Sequence, residues 1–277
     1  MRKEELNDLV STFITECRYD EKSEKTLIHY EHVVNMFIDS VESDEVSKDD
    51  VIKFKSQMMK KFKPRTVTNY ITVTNKFLNY AGLQDLAVKN IKIQQEASLE
   101  EVLEPIELKR LLRMAKKTNQ MDMYYIMQIL AYTGARAEEL KVFTVENLET
   151  NYIRVTNKGK TRDIILRQDL RRELIKYCKQ KGIKKGYIFK GKRENTMLHY
   201  TTIFKRMKKL AGKCRGVKKA KIHPHSFRHL FAIKFLEEGG DITELADILG
   251  HSSIDTTRIY TRTTSKMKRE RMEKMRY

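Results

Sequence analysis

Residues 223–260 read HPHSFRHLFAIKFLEEGGDITELADILGHSSIDTTRIY, and this stretch decides the interpretation of the whole chain. It holds most of the histidines of the chain, one arginine between them and a terminal tyrosine: His223, His225, His229, His251, Arg228 and Tyr260. His225 and Arg228 are three residues apart, so a helix would place both on one face. Gly239 and Gly240 predict the end of that helix, and Gly250 predicts the end of the next. A third short helix would then carry Tyr260.

A face with imidazoles, a guanidinium and a phenol suits phosphoryl transfer through a covalent tyrosine. A phenol has a pKa of about 10 and is a weak nucleophile until a base accepts its proton. Either His225 or His251 is suited to that role. The phosphate also needs cationic donors around its non-bridging oxygens, and the planar fork of an arginine binds two oxygens at once.

Two upstream segments supply the other groups that this chemistry needs. The segment AYTGARAEEL places Arg136 two residues after a Thr-Gly pair at a predicted helix boundary. The segment YIRVTNKGKTRDIIL predicts a β-hairpin with Lys158 at its turn, because β-favouring residues flank a polar Asn-Lys-Gly sequence. A lysine there would suit the leaving oxygen as a proton donor.

The ordered set TGAR, NKGKTRDIIL, HPHSFRH and LGHSSIDTTRIY resembles the tyrosine recombinase family, which includes phage integrases and Xer-like site-specific recombinases. Each element alone is weak, but together and in this order they are highly specific. Phe227 is the one small departure, since the family more often has leucine there. The resemblance covers the second half of the chain closely and the first half in outline.

The resemblance implies a catalytic set and two supporting residues. The catalytic residues would be Arg136, Lys158, His225, Arg228, His251 and Tyr260, supported by Glu139 and His229. Tyr260 would attack the scissile phosphate and form a 3′-phosphotyrosyl link, with His225 assisting removal of its proton. Lys158 would protonate the leaving 5′-oxygen. The two arginines and His251 would bind the phosphate, Glu139 would orient an arginine, and His229 would have a structural hydrogen bond.

No cofactor is expected for this reaction. The covalent link conserves the energy of the phosphodiester, so neither ATP nor a metal ion is required. A metal site at His223, His225 and His229 is the alternative interpretation of that cluster. It is disfavoured because no cysteine or carboxylate lies within the motif and Arg228 would repel a cation.

Composition indicates a polyanionic partner. The chain of 277 residues has a formal net charge of +19, with 40% hydrophobic and 34% charged residues. The three cysteines have no paired spacing, which is typical of reduced thiols. The sequence begins with no apolar signal segment and has no long apolar run, so a cytoplasmic, nucleoid-associated protein is expected, without a membrane partner.

The expected fold is mainly α, with a small β-sheet in the second domain. We predict an N-terminal helical domain over 1–82, a linker over 83–104, a catalytic domain over 105–260 and a basic tail over 261–277. By resemblance, the first would be a core-binding, SAM-like DNA clamp and the second an α+β tyrosine-recombinase domain. The tail would dock on a neighbouring protomer. Residues 187–189 predict a further short strand.

Two clusters of basic residues are candidates for DNA contact. The first consists of Lys60, Lys61, Lys63 and Arg65, and the second of Lys218, Lys219 and Lys221. The alternative is an ordinary solvated surface. By resemblance, the partner would be double-stranded DNA recombination sites, bound by a homotetramer that is a monomer or weak oligomer when free.

Two other functions are disfavoured, because every catalytic residue type of the family is present and the motif spacing is that of an integrase. A non-catalytic DNA-binding regulator on the same scaffold would explain the basic clusters equally well. A type IB topoisomerase would share the covalent chemistry. The sequence does not distinguish integration, excision, inversion and dimer resolution, so the link to a mobile genetic element is an expectation.

Overall fold

The chain forms two compact units, Met1–Gln95 and Glu96–Tyr277, in a computed structural model. The structure describes residues 1–92, 102–157, 160–193, 195–251, 253–261, 272–273 and 275. It is mostly helical with one small two-stranded sheet among these residues, as the sequence predicts. In the described residues, no helix is both long and apolar enough to span a bilayer.

The first unit is built from four helices. They are α1 (Lys3–Tyr19), α2 (Glu24–Ser40), α3 (Lys48–Lys61) and α4 (Pro64–Tyr80). Ser47 and Asp50 form a capping box at the start of α3, and Pro64 occupies the first turn of α4. Each helix contributes one fully buried phenylalanine to the core: Phe13, Phe37, Phe54 and Phe77. Phe13 and Phe77 meet edge to face, as do Phe37 and Phe54.

The first unit extends beyond the predicted boundary at Gly82. A 3₁₀ turn at Gln84–Leu86 follows α4, and four partly buried residues after Gly82 pack against the core of this unit: Leu83, Leu86, Val88 and Ile91. Asn75 also exchanges two hydrogen bonds with the backbone of Val88. Residues 83–91 are therefore not a free linker as predicted. Residues 93–101 of that predicted linker lie outside the described residues, and Leu103 is already buried in the second core.

The second unit surrounds one buried helix. Its elements are α5 (Pro105–Lys117), α6 (Met121–Thr133), β1 (Tyr152–Asn157), β2 (Lys160–Ile165), α7 (Gln168–Gln180), α8 (Tyr200–Ala211), α9 (Pro224–Glu237), α10 (Ile242–Leu249) and α11 (Ile254–Thr261). Helix α6 is apolar around its whole circumference and packs against α5, α7, α8 and α9. A helix that is apolar on every side belongs in a core.

The predicted hairpin is present, whereas the predicted strand at 187–189 is not. Strands β1 and β2 pair antiparallel, with Tyr152 opposite Ile165 and Val155 opposite Arg162. Tyr187 forms only an isolated bridge with Thr144. The two buried residues after Tyr187 form backbone hydrogen bonds with two different segments, so no continuous strand pairing forms.

Gly134 ends α6 at the point where α9 and α10 converge. Its φ is +63°, and a Cβ atom there would lie 2.6 Å from Phe231 on α9 and 2.8 Å from Leu249 at the end of α10. Thr133 supports the turn, because its hydroxyl donates to the carbonyl of Ile129 and accepts the N–H of Ala135. Glycine thus allows both the left-handed turn and the close approach.

The Gly134→Ala variant is expected to lose about 2–4 kcal/mol of the free energy of unfolding, measured by urea denaturation. Left-handed backbone strain and overpacking against Phe231 and Leu249 both contribute. Gly182→Ala is the matched control, since Gly182 has φ +64° but a Cβ atom there would meet nothing within 4 Å. That variant should lose only about 1 kcal/mol, from strain alone. Equal losses in the two variants would contradict the close approach.

Candidate active site

Arg228 is a buried guanidinium that ties three segments together. Helix α9 begins with Pro224 in its first turn and places Arg228 in its interior, with 3% exposure. Its Nη1 donates to the carbonyl of Gly134 at 2.7 Å, and its Nη2 donates to the carbonyl of Leu249 at 2.6 Å. Burial, and then the charge of Arg136, lowers its pKa to about 10, so it remains a cation near neutral pH.

Arg136 is held in place by Glu139. A 3₁₀ segment, Ala137–Val142, begins directly after Arg136, and Glu139 reaches back in a capping-box arrangement. One carboxylate oxygen accepts the backbone N–H of Arg136 at 2.6 Å, and the other accepts its Nη1 at 3.0 Å. The Nη2 of Arg136 donates to the carbonyl of Gly250 at 3.0 Å. These contacts hold the Arg136 side chain in one orientation.

Three consecutive carbonyls at the end of α10 each accept a different arginine. Arg162 of β2 donates to the carbonyl of Ile248 at 2.5 Å, Arg228 to that of Leu249, and Arg136 to that of Gly250. The last carbonyls of a helix have no partner within the helix and carry partial negative charge. They therefore gather guanidinium groups from three separate segments at one point. The two arginines singled out in the sequence belong to this one cluster.

His251 follows the cluster directly, and its contacts define its tautomer. Its Nε2 lies 3.0 Å from Nη2 of Arg228, and its Nδ1 lies 2.8 Å from the hydroxyl of Thr257. A guanidinium only donates, so Nε2 must accept and the neutral ring carries its proton on Nδ1. Burial, followed by the charges of Arg228 and Arg136, lowers the pKa of His251 to about 4.

This lowered pKa predicts a loss of stability in acid. The unfolded chain binds a proton at His251 more readily than the folded chain does, so the stabilisation is complete above about pH 6.5 and is lost as the pH falls toward about 4. Between pH 7 and 4.5, the free energy of unfolding should fall less in His251→Asn than in the wild type, by about 1–2 kcal/mol. His32→Asn, at an exposed position on α2, is the control. Identical pH slopes for all three proteins would contradict the prediction.

Tyr260 lies on α11 and is buried, with 4% exposure. Its hydroxyl lies 2.9 Å from Nδ1 of His229, and the two rings are 5.4 Å apart. From the sequence we expected His225 to assist proton removal from this hydroxyl and His229 to form a structural hydrogen bond. In the structure the hydroxyl contacts His229. His225 and His229 are four residues apart on one face of α9, and α11 packs beside the later turn. His225 is exposed at the surface.

The electrostatics of the free chain keep the proton on the phenol. Burial raises the pKa of Tyr260 above its usual value, although Arg228 and Arg136 oppose this. Burial, followed by the neighbouring histidines and Arg228, lowers the pKa of His229 to about 4. The His225 residue is exposed, but neighbouring protein atoms partly desolvate its ring and so lower its pKa; the charges of Arg228 and Arg136 add to this effect. The phenol therefore donates its hydrogen bond to a neutral His229.

A cleft of about 440 Å³ opens beside the arginine cluster. Arg136, Arg162, Gly250 and His251 contribute to its lining, together with residues of β2 and α10. The predicted proton donor Lys158 belongs to the hairpin that borders this cleft, but it lies outside the described residues. The arrangement offers positive charge and hydrogen-bond donors of the kind that bind a phosphate.

Two polar residues of the site were not identified from the sequence, the nearly buried Arg162 and the fully buried Thr257. Arg162 alternates with the buried Ile164 and Leu166, so period-two spacing already placed a charged residue on the apolar face of β2. Thr257 is fully buried and is three residues before Tyr260, on the same helical face. Their partners, however, come from other segments and are not visible in local spacing.

The structure separates the predicted DNA-contacting residues into two kinds. Most are exposed, in both clusters: Lys60, Lys61, Lys63, Arg65, Lys218 and Lys219. Lys221 differs, because its side chain is 13% exposed and its Nζ lies 3.5 Å from Glu107. Lys221 is thus engaged in an ion pair at the start of α5, unlike the other predicted DNA-contacting residues. Within the described part of the chain, no group of three or more potential metal ligands is gathered.

Comparisons with known proteins agree with this geometry. The chain matches the model described as "Phage integrase family" over residues 101–267. It is 30% identical over 283 residues to "Tyrosine recombinase XerA" of Pyrococcus horikoshii, with 99% of this chain and 95% of that protein covered.

Solved structures also resemble it. A crystal structure of XerA recombinase is 28% identical, with a TM-score of 0.56, and the match covers 98% of this chain and 99% of that one. The Tn1549 transposon integrase, in complex with transposon right end DNA, matches with a TM-score of 0.75 at 18% identity and covers 99% of each chain. At that identity the second likeness concerns the fold alone. The family match spans most of the chain and contains the arginine cluster and the buried tyrosine, so the chain belongs to the phage integrase family of tyrosine recombinases.

Proposed function

We propose that this chain is a site-specific recombinase that cuts and rejoins duplex DNA through a 3′-phosphotyrosyl intermediate. The observation that carries the proposal is the convergence of Arg136 and Arg228 on adjacent carbonyls, those of Gly250 and Leu249. Two guanidinium groups so placed suit the non-bridging oxygens of one phosphate. Tyr260 reaches the same cluster through His229 and the neighbouring Arg228 on α9.

The proposed cleavage step forms one bond and breaks another at the same phosphorus. The phenolic oxygen of Tyr260 attacks, and the bond from phosphorus to the 5′-oxygen breaks. The phenol proton passes to an imidazole of α9: His229 already holds the hydroxyl, and His225, predicted for this role, lies one helical turn away. The 5′-oxygen takes a proton from Lys158. A second 5′-hydroxyl then reverses the step and completes the joining.

The protonation states of the side chains support the roles proposed for them. In the free chain the phenol is buried and protonated, and His229 and His251 are neutral. The negative charge of a bound phosphate would act on both histidines in the opposite direction, because a nearby anion favours the protonated imidazole. We propose that DNA binding thereby prepares the histidines to accept and donate protons. No step is assigned to a metal ion or to ATP.

The finer organisation is also part of the proposal. The helices of residues 1–82 would form a SAM-like, core-binding clamp on DNA, and residues 105–260 would carry the chemistry. Four chains would act together on two synapsed sites, with the basic tail over 261–277 docking on a neighbour. Support comes from the exposed basic residues of the first unit and from the net charge of +19.

A covalent trapping experiment tests the proposal. The wild-type chain is incubated in EDTA with a nicked suicide substrate, whose 5′-hydroxyl fragment diffuses away after cleavage. We expect a protein–DNA adduct that survives denaturation. A non-catalytic regulator would bind the DNA without forming an adduct. A type IB topoisomerase would form the adduct and relax supercoiled DNA, but it would exchange no strands between two sites.

Neutralising Lys60, Lys61 and Lys63 to glutamine is expected to weaken DNA binding for all sequences. Each lost phosphate contact reduces counterion release, so the slope of log affinity against log salt should flatten by about 2–3. Fluorescence anisotropy at several salt concentrations measures both quantities. The control removes the same charge from another exposed set, Lys181, Lys184 and Lys185. A larger effect in the control would move the DNA-binding face away from the first cluster.

A further inference from the structure

Arg162 is the one arginine of the cluster to which the motif pattern gives no role. Its side chain is 10% exposed and lies on the face of β2 that also carries the buried Ile164. Its Nη2 lies 2.7 Å from Oε2 of Glu139, and its Nη1 donates to the carbonyl of Ile248. Within the described residues its Nε is buried without a hydrogen-bond partner. A buried arginine with one N–H unpaired is costly, and a purely stabilising role explains it poorly.

Glu139 lies between two guanidinium groups. Oε1 accepts Nη1 of Arg136, whereas Oε2 accepts both the backbone N–H of Arg136 and Nη2 of Arg162. With Arg162 present, the carboxylate divides its charge between the two arginines. Without it, Oε2 would keep only the backbone N–H of Arg136 and could accept a second guanidinium N–H of that arginine. The result would be a bidentate pair, which is the geometry that arginine and carboxylate prefer. Such a pair would turn the Arg136 guanidinium away from the phosphate.

Gly250 makes room for this arrangement. A Cβ atom at Gly250 would lie 2.6 Å from Cδ and 2.9 Å from Nε of Arg162. The carbonyl of Gly250 also accepts a hydrogen bond from Arg136, and the φ of this glycine is +62°. The side chain of Arg162, from Cγ to Nε, thus fills the space that a side chain at position 250 would occupy, directly before His251. Arg162 therefore contacts Glu139, which holds Arg136, on one side and lies against Gly250, which precedes His251, on the other.

We propose that Arg162 is a positioning residue, which sets the pose of Arg136 through Glu139 and anchors the end of α10 to β2. This inference rests on the proposed recombinase function and adds a residue to its machinery. Arg162 does not contact the phosphate itself. It ensures that the charge of Glu139 is shared, so that Arg136 keeps donors available for a non-bridging oxygen.

The test compares Arg162→Met with Arg154→Met in single-turnover adduct formation on a suicide substrate. Arg154 is on the same hairpin, but its side chain is 76% exposed and pairs with Asp163. We expect Arg162→Met to slow cleavage by about 10–100-fold, as a misplaced guanidinium would, and Arg154→Met to stay within about threefold of the wild type. Calorimetry establishes that each variant is folded at the assay temperature. Arg162→Lys, which keeps the charge but cannot make both contacts, serves if the methionine variant is unstable.

A substrate with a methylphosphonate at the scissile position separates positioning from mere stability. Replacing one non-bridging oxygen with methyl removes the charge that Arg136 would neutralise, so a defect that acts through Arg136 should shrink on this substrate. We expect the slowing of cleavage by Arg162→Met to be at least about tenfold smaller on one methylphosphonate diastereomer. This should be the diastereomer that also restores cleavage by Arg136→Met, because both substitutions act on the same phosphate charge. The double variant should be no slower than Arg136→Met alone.

The outcomes are distinct. A wild-type chain that forms no adduct would overturn the proposed function and this inference with it. Two results would overturn the positioning role alone, provided that the wild-type chain forms the adduct. One is that Arg162→Met slows cleavage equally on both substrates. The other is that the double variant is slower than Arg136→Met by the full factor measured for Arg162→Met. The expected pattern, a penalty that shrinks with the charge and does not add to that of Arg136, supports it.

Discussion

Replacing Arg228 with lysine is expected to slow covalent DNA cleavage by about 10²–10³-fold while leaving DNA affinity nearly unchanged. Lysine keeps the positive charge but lacks the planar fork, so it cannot bind the carbonyls of Gly134 and Leu249 and still present donors to a phosphate. The phosphate needs these donors most in the transition state, when its oxygens carry additional charge. The effect should therefore appear in the single-turnover rate and not in the binding constant.

Arg206→Lys is the control for Arg228→Lys. Arg206 is a half-buried arginine of the second unit, whereas Arg228 is fully buried. The hydrogen-bond partners of Arg206 are Asp122 and Gln120, which lie outside the arginine cluster. We expect its replacement to leave the cleavage rate within about threefold, as a lost ion pair away from the chemistry would. Equal defects in the two variants would mean that Arg228 acts only by stabilising the second unit.

Replacing Tyr260 with phenylalanine is expected to abolish the adduct, a loss of at least about 10⁴-fold, because it removes the attacking oxygen. The fold should change little, since a phenylalanine fills the same buried site and the hydrogen bond to His229 is lost without removal of packed atoms of the ring. That loss corresponds to about 1 kcal/mol in the free energy of unfolding. DNA binding should persist, so the variant would still shift the substrate in a gel.

Tyr277→Phe is the matched control for this prediction. Tyr277 is the other tyrosine near the end of the chain and lies outside the sequence motif. Its replacement should leave the amount of adduct unchanged. If Tyr260→Phe retained the adduct and Tyr277→Phe lost it, the nucleophile would have to be reassigned.

Local sequence signals predicted the elements that surround the site. Gly239, Gly240 and Gly250 marked the ends of α9 and α10, and the hairpin turn placed β1 and β2. These features depend on backbone conformations that particular residues favour, so spacing alone reveals them. The strand expected at 187–189 was wrong, because its apolar residues are buried by packing and not by pairing with a neighbouring strand.

Partners across separate segments were beyond the reach of local patterns. Spacing placed both His225 and His229 on one face of α9, but only the packing of α11 decides which one meets Tyr260. Arg162 was not singled out in the sequence, because its partner Glu139 is 23 residues away. The extent of the first unit beyond Gly82 likewise depends on side chains that return to its core.

The most direct test of the central claim is to identify the residue that carries the DNA. The wild-type chain is trapped on a suicide substrate in EDTA, the DNA is digested to a short remnant, and the modified peptide is sequenced by mass spectrometry. We expect a phosphodiester linkage from the Tyr260 oxygen to the 3′ end of the nucleotide. A remnant attached to any other residue, or joined through its 5′ end, would contradict it.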